Sequence, residues 1–152
     1  MNVPSDDPEK KRILIVEDDP LHMKLLKDEL IDEYELDFAG DSQSALDYLN
    51  EESAPSYNMV IIDLRLPRNL GELPLPDEGF RILDALHEQP QLSPTILVVS
   101  GNLIERTKKR AQAYGVKQIF EKPFSLKTLR KYIDLLAGSG NDIAERELSM
   151  VA

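Results

Sequence analysis

The sequence predicts an α/β domain in which a five-stranded parallel sheet is wound on both sides by helices. Three observations predict it. Short apolar runs rich in β-branched residues recur along the chain, segments of helical period separate them, and the two kinds alternate five times without an internal repeat. Strands that alternate with helices form parallel sheets, and right-handed crossovers then leave the doubly wound arrangement.

The first strand is Ile13-Leu14-Ile15-Val16, continuous and β-branched as a strand buried on both faces should be. Asp19-Pro20 supplies an N-cap and a first helical residue, and the helix that follows puts Met23, Leu26 and Leu30 on one face. Tyr34 to Phe38 alternates as a weaker strand, and a helix from about Ser42 turns Ala45, Leu46 and Leu49 inward. Met59-Val60-Ile61-Ile62 is a second fully apolar strand, ending at Asp63. Phe80 to His87 reads as a helix through Phe80, Leu83 and Leu86. Thr95 to Val99 is a buried strand ending at Ser100, followed by a helix from Leu103 to Tyr114 with Gly115 as its stop. Val116 to Phe120 is the last strand. Ser125 caps a final helix whose Leu126, Leu129, Ile133 and Leu136 recur at spacings of three and four.

The bulk properties bound the function. A chain of 152 residues suits one domain and can bury a core without staples. The expected division is a flexible segment over 1–10, the domain over 11–137 and a polar, mobile tail over 138–152 that begins Gly138-Ser139-Gly140. The absence of cysteine excludes disulfides, thiolate metal sites and cysteine nucleophiles. A net charge of −10 repels phosphate backbones, so no nucleic-acid partner is expected. No apolar run approaches the roughly 20 residues that span a bilayer, and the polar stretch Met1 to Lys11 has no signal core. A soluble, cytoplasmic protein without membrane contact is the expectation.

Ligands of open parallel sheets bind beyond the carboxyl ends of the strands. Glu17, Asp18 and Asp19 follow the first strand, Asp63 the third, Ser100 and Gly101 the fourth, and Lys122 and Pro123 the fifth. Converging carboxylates repel one another unless a cation sits among them. Ligands that are all oxygen select a hard cation, and with a phosphate to bind as well Mg²⁺ is the natural choice. A carboxylate can act as a nucleophile and form an aspartyl phosphate. That chemistry needs charge neutralisation around the phosphoryl oxygens, which a metal, a lysine ammonium and a small hydroxyl can supply. Asp63, Glu17, Asp18, Lys122 and Ser100 fill those roles. Asp19 is better used as the N-cap. His22 and His87 read as exposed helix residues without a role, and Lys108, Lys109 and Arg110 as a solvated helix face.

Four pieces in order carry a resemblance: Arg12-Ile13-Leu14-Ile15-Val16-Glu17-Asp18-Asp19-Pro20, Ile61-Ile62-Asp63-Leu64-Arg65-Leu66-Pro67, Val98-Val99-Ser100-Gly101, and Lys122-Pro123-Phe124. With them the chain, from about Lys11 to Ala137, resembles the receiver domain of two-component response regulators. The resemblance implies a flavodoxin-like (βα)5 fold with strand order 2-1-3-4-5. It implies that Asp63 accepts a phosphoryl group from a histidine kinase or a phosphotransfer protein. It further implies that Asp18, Glu17 (partly through water), Asp63 and the backbone carbonyl of Arg65 hold Mg²⁺, that Ser100 and Lys122 contact the phosphoryl oxygens, and that the Lys122–Pro123 peptide is cis.

The chain departs from that pattern twice. The position three before the lysine, often aromatic in the family, is Ile119. The segment after the acceptor strand is lengthened near 68–78: Glu72-Leu73-Pro74-Leu75-Pro76-Asp77-Glu78 intervenes before Gly79-Phe80, and two prolines cannot lie inside the helix. This insertion is expected to be either a determinant of partner choice or a tolerated surface loop.

Two other readings compete. A haloacid-dehalogenase-like phosphatase also uses a nucleophilic Asp with Mg²⁺, but it needs a second Asp two residues on, where this chain has Arg65. A receiver-like docking module that works without phosphorylation needs none of the five site residues. No G-x-G-x-x-G follows the first strand, so dinucleotide binding has no support. With little chain left for an output domain, the expected output is binding to a downstream protein, with a homodimer as a further option and with arrival of the phosphoryl group drawing Ser100 and its loop inward.

Overall fold

The computed structural model describes residues 10–50 and 56–137. Its elements are β1 (Arg12–Val16), α1 (Pro20–Leu30), β2 (Glu35–Ala39), α2 (Ser42–Asn50), β3 (Met59–Asp63), α3 (Gly79–His87), β4 (Thr95–Ser100), α4 (Glu105–Gln112), β5 (Gln118–Glu121) and α5 (Leu126–Ala137). All strand pairs are parallel, as the sequence predicts, and the order is β2-β1-β3-β4-β5, as the resemblance implies. The expected flexible ends fall outside the described residues apart from Lys10.

Successive side chains of a strand point to opposite faces, and the core divides accordingly. Leu14, Val16, Val60, Ile62 and Val98 pack with Ala45 and Leu49 of α2, Phe80, Leu83 and Leu86 of α3 and Ala111 of α4. Ile13, Ile15, Met59, Ile61, Leu97 and Val99 pack with Leu26 and Leu30 of α1 and Leu129 and Ile133 of α5. The unbroken apolar runs of β1 and β3 are thus two alternating sets, each needed by its own layer of helices.

Asp19 caps α1, its side chain accepting the Leu21 N–H at 2.9 Å. Ser125 accepts the Thr128 N–H at 3.3 Å at the start of α5. Met23 is only half-buried, so the α1 stripe narrows to Leu26 and Leu30. The fourth helix is shorter than the sequence suggests. It begins at Glu105 after an extended Ile104 and ends at Gln112, with Gly115 (φ 77°) closing the turn beyond. The cause lies in its composition: only Ala111 of this helix is buried, so no apolar stripe holds the outer turns.

The insertion is closed at its base. Leu66 and Leu75 form an antiparallel bridge, with Leu75 N donating to Leu66 O at 2.8 Å and Leu66 N to Leu75 O at 3.2 Å. Its tip turns through Gly71 (φ 86°), and Glu72 accepts the Asn69 N–H at 3.1 Å. Among the described residues no helix is long and apolar enough to cross a membrane.

Candidate functional site

Parallel strands end at one rim, and the register decides which residues meet there. Val16 lies beside Ile62, Asp63 beside Val99 and Ser100 beside Glu121. Glu17, Asp63, Ser100 and Lys122 therefore all leave the sheet at the same edge. Lys122 N donates to Ser100 O at 2.8 Å, tying the ends of β4 and β5 together. The Lys122–Pro123 peptide is cis, as the resemblance implies.

Glu17 and Asp63 are buried and Asp18 is half-buried, and one carboxylate oxygen from each lies within 4.8 Å of the others. Among the described residues, Lys122 is the lysine that reaches this group. Lys122 Nζ stands 2.6 Å from Asp63 Oδ2 and 3.1 Å from Glu17 Oε1. Burial pushes the Glu17 carboxyl above its ordinary range and the Asp63 charge adds to the rise, against the Asp19 N–H and Lys122, which lower it. Burial would lower Lys122, but the hydrogen bond and charge of Asp63, with Glu17 behind it, outweigh that and hold the ammonium up. Three carboxylates share one lysine, and the negative charge is left in excess.

That excess, with donors that are all carboxylate oxygen, fits a hard divalent cation of the Mg²⁺ class. Asp63 Oδ1 already accepts the Arg65 N–H at 3.0 Å, which folds the chain tightly after β3 and leaves Oδ2 to Lys122. Ser100 is buried and its hydroxyl accepts the Asn102 N–H at 3.3 Å. Arg65 is exposed and stands at the position where a dehalogenase-like reaction requires an acid.

Gly79 sets the spacing behind the site. Its N–H donates to Leu64 O at 2.9 Å, bringing the start of α3 against the turn after Asp63. Glu78, just before it, is buried and anchors the insertion. Its Oε2 accepts the Ser42 hydroxyl at 2.5 Å and Arg68 Nε at 3.3 Å, and Arg81 Nη1 lies 3.7 Å away. Burial raises the Glu78 carboxyl, and Ser42, Arg68 and Arg81 more than offset it, so the group sits below its ordinary range.

Two residues read from the sequence as plain surface behave otherwise. His22 Nδ1 lies 3.4 Å from Glu17 Oε1 and 3.8 Å from Asp19 Oδ2. Its place three residues after the N-cap, on the first turn facing the rim, was the available signal. Lys108 and Lys109 are exposed as expected, but the Arg110 guanidinium lies 3.8 Å over the Phe80 ring. His87 is exposed, its ring set edge-on to Tyr114. Ile119 is half-buried against the α2/α3 layer, whereas Phe120 is buried on the opposite side among Phe124 and Tyr132. The aromatic ring thus faces away from the position that the family pattern fills with one.

Comparison with known proteins agrees with this fold. A family model described as the response regulator receiver domain matches residues 13–134. The signal receiver domain of a putative Luxo repressor protein from Vibrio parahaemolyticus superposes with a TM-score of 0.70 at 19% identity, over 94% of this chain and 98% of that one. A CheY-like response regulator receiver domain protein from Methanospirillum hungatei JF-1 gives 0.69 at 23%, over 91% and 99%. The non-phosphorylated HemR receiver domain from Leptospira biflexa gives 0.66 at 27%, over 80% and 89%. No curated protein matches the chain.

Proposed function

This chain belongs to the response regulator receiver domain family, and from that premise we propose that Asp63 accepts a phosphoryl group from a histidine kinase or phosphotransfer protein in a Mg²⁺-dependent reaction. The observation that carries the reading is the single lysine set between Asp63 and Glu17, with Asp18 closing a three-carboxylate group. In this reading Glu17, Asp18, Asp63 and the carbonyl of Arg65 hold the metal, which when bound neutralises charge on the incoming phosphoryl oxygens. Asp63 Oδ2 is the attacking oxygen. Lys122 releases part of its hold on that oxygen and follows the charge onto the phosphoryl group. Ser100 turns its hydroxyl from the Asn102 N–H toward the same group.

The added charge and acceptor oxygens then act on the loop after β4. Ser100 is drawn inward, and the loop leading to α4 moves with it. The altered surface changes affinity for a downstream protein, possible self-association included. The role is that of a cytoplasmic signalling phosphoacceptor rather than a turnover enzyme. The insertion, fixed beside the rim by Glu78, shapes the choice of donor protein. Replacing residues 68–78 with a short turn and finding the same kinase preference would reject that last point.

The test is incubation with acetyl phosphate and Mg²⁺ followed by intact mass. One phosphoryl adduct is expected, absent in Asp63→Asn and without Mg²⁺. No adduct on folded protein, with a donor proven on another receiver, would leave a docking module that works without phosphorylation.

A further inference from the structure

An open groove of about 630 Å³ runs beside the rim, between the end of the insertion and the start of α4. Arg65 from the turn after β3 and Arg106 and Arg110 from α4 line it, with Asp77 as its one acidic lining residue. Arg106 and Arg110 lie four residues apart and so share one face of their helix. Three guanidinium groups in one concavity stand out in a chain with 28 acidic and 18 basic residues.

Arg12 is paired with Asp37, Arg68 and Arg81 with Glu78, and Arg130 with Glu29, Glu33 and Asp134. Among the described residues, the arginines without an ion pair to a carboxylate are the three that line the groove. Arg110 is ordered all the same, its guanidinium held 3.8 Å over the Phe80 ring. Apolar surface adjoins these charges. Ile104, just before α4, lines the groove at 48% exposure, and Pro76 is exposed on the insertion side. Guanidinium forks bind carboxylates two oxygens at a time, and arginine beside apolar side chains is the composition of the energetic centres of protein interfaces.

We infer that this groove docks the downstream protein through an acidic segment of that protein. Carboxylates on either side of an apolar residue reach the arginines, while the apolar residue covers Ile104 and Pro76. Charge complementarity argues for an occupant with several negative charges, and the lining argues for a peptide rather than a nucleotide. A base needs an open ring face, but the one aromatic lining residue is Phe80, which is 2% exposed with Arg110 across its face. Ser100 and Asn102 form part of the groove wall. The loop that the phosphoryl group would move is thus a piece of the docking surface, and the grip on the segment changes with it. That last link rests on the reading of Asp63 as phosphoacceptor; the binding of an acidic segment does not.

The experiment is selection from a random peptide display library on the unphosphorylated full chain, with affinities then measured by fluorescence anisotropy. Enriched peptides are expected to carry Asp or Glu on both sides of an apolar residue. Arg106→Gln and Arg110→Gln should each weaken a selected peptide by roughly 3- to 10-fold, the range for exposed or partly exposed charged contacts. Lys127→Gln, the same charge change on α5 and outside the groove, should alter it by less than about 2-fold. Arg106→Gln carries the test if loss of the Phe80 stacking disturbs Arg110→Gln. An absence of binders, enrichment without acidic residues, or equal binding by the groove variants overturns the assignment. So does binding of ADP tighter than that of any selected peptide and lost in Arg106→Gln, which gives the groove to a nucleotide. Self-association of the unsubstituted chain that is lost in Arg106→Gln gives it instead to a second copy. Acetyl phosphate with Mg²⁺ should change the peptide affinity by about 5-fold or more. Equal affinity with the adduct formed overturns the link to the downstream role, whereas failure to form the adduct overturns the phosphoacceptor reading and leaves the groove result standing.

Discussion

A Cβ placed on Gly79 would stand 2.6 Å from the carbonyl oxygen of Asp63 and 2.7 Å from the Cα of Leu64. Both obstacles are backbone, so neither can rotate away. The start of α3 and the turn after β3 are packed as closely as two main chains allow. Gly79→Ala should therefore destabilise the fold by about 1–3 kcal/mol, the usual cost of overpacking. It should also slow phosphorylation at Asp63, because the strain falls on the turn that positions its carboxylate. Urea denaturation beside an adduct-formation rate measures both. An alanine variant of native stability would show that the contact relaxes without cost.

Lys122 competes with any cation for the oxygens of Asp63 and Glu17. Lys122→Ala should thus bind Mg²⁺ more tightly, by roughly 3- to 10-fold at low salt. Its phosphorylation should slow by about a hundredfold, since the ammonium that follows the transferred charge is gone. Calorimetric titration with Mg²⁺ gives the first number. Weaker binding than in the unsubstituted protein would mean that the lysine orders the carboxylates rather than competing for them.

If Glu17, Asp18 and Asp63 hold Mg²⁺ as proposed, its binding relieves their mutual repulsion and stabilises the fold. Mg²⁺ at about a hundred times its Kd should add about 2.7 kcal/mol to the unfolding free energy. Asp18→Asn should lose most of that gain and, by removing one of the mutually repelling charges, should itself raise the metal-free melting temperature. Thermal melts with and without Mg²⁺ decide this, and an unchanged Mg²⁺-dependent rise in Asp18→Asn would remove Asp18 from the ligand set.

Glu78 gives a pH dependence with a defined sign. Its carboxyl lies below the ordinary value of 4.5 in the fold. The stability it contributes is present in full above that value and is lost as the pH falls through the lower, folded pKa. Melting temperature should drop less steeply between about pH 5 and 3 in Glu78→Gln than in the unsubstituted protein. Parallel curves would show that the Ser42–Arg68–Arg81 cluster holds the insertion without a charge on Glu78.

Leu70 and Leu73 are 86% and 85% exposed at the tip of the insertion. Changing both to Ser should leave stability within about 0.5 kcal/mol. If the insertion helps to choose the donor protein, the same change should slow transfer from that protein and leave acetyl phosphate untouched. A stopped-flow comparison of the two donors separates these effects. Equal rates for the variant and the unsubstituted protein with the protein donor would assign the tip no part in recognition.

The fold was legible because β1 and β3 must satisfy two layers at once, and only unbroken apolar runs such as Ile13–Val16 and Met59–Ile62 can do so. The rim followed from the ends of those runs, since a parallel register carries Glu17, Asp63, Ser100 and Lys122 to one edge without further information. Other features depend on approaches that no local pattern encodes. The Glu78 cluster joins Ser42 to a residue 36 positions away, and Arg110 reaches Phe80 only because α3 and α4 pack side by side. The start of α4 was misplaced for the opposite reason: the segment has almost no apolar face to mark its limits.

The insertion separates its foundation from its display. The Leu66–Leu75 bridge and the carboxylate of Glu78 hold its base to the scaffold, whereas Leu70 and Leu73 rest on almost nothing. Residues 69–74 other than Gly71, whose φ of 86° calls for glycine, can therefore be varied while the base stays fixed. For protein engineering the segment is a cassette: a new address can be written there while the reactive centre beneath keeps its wiring.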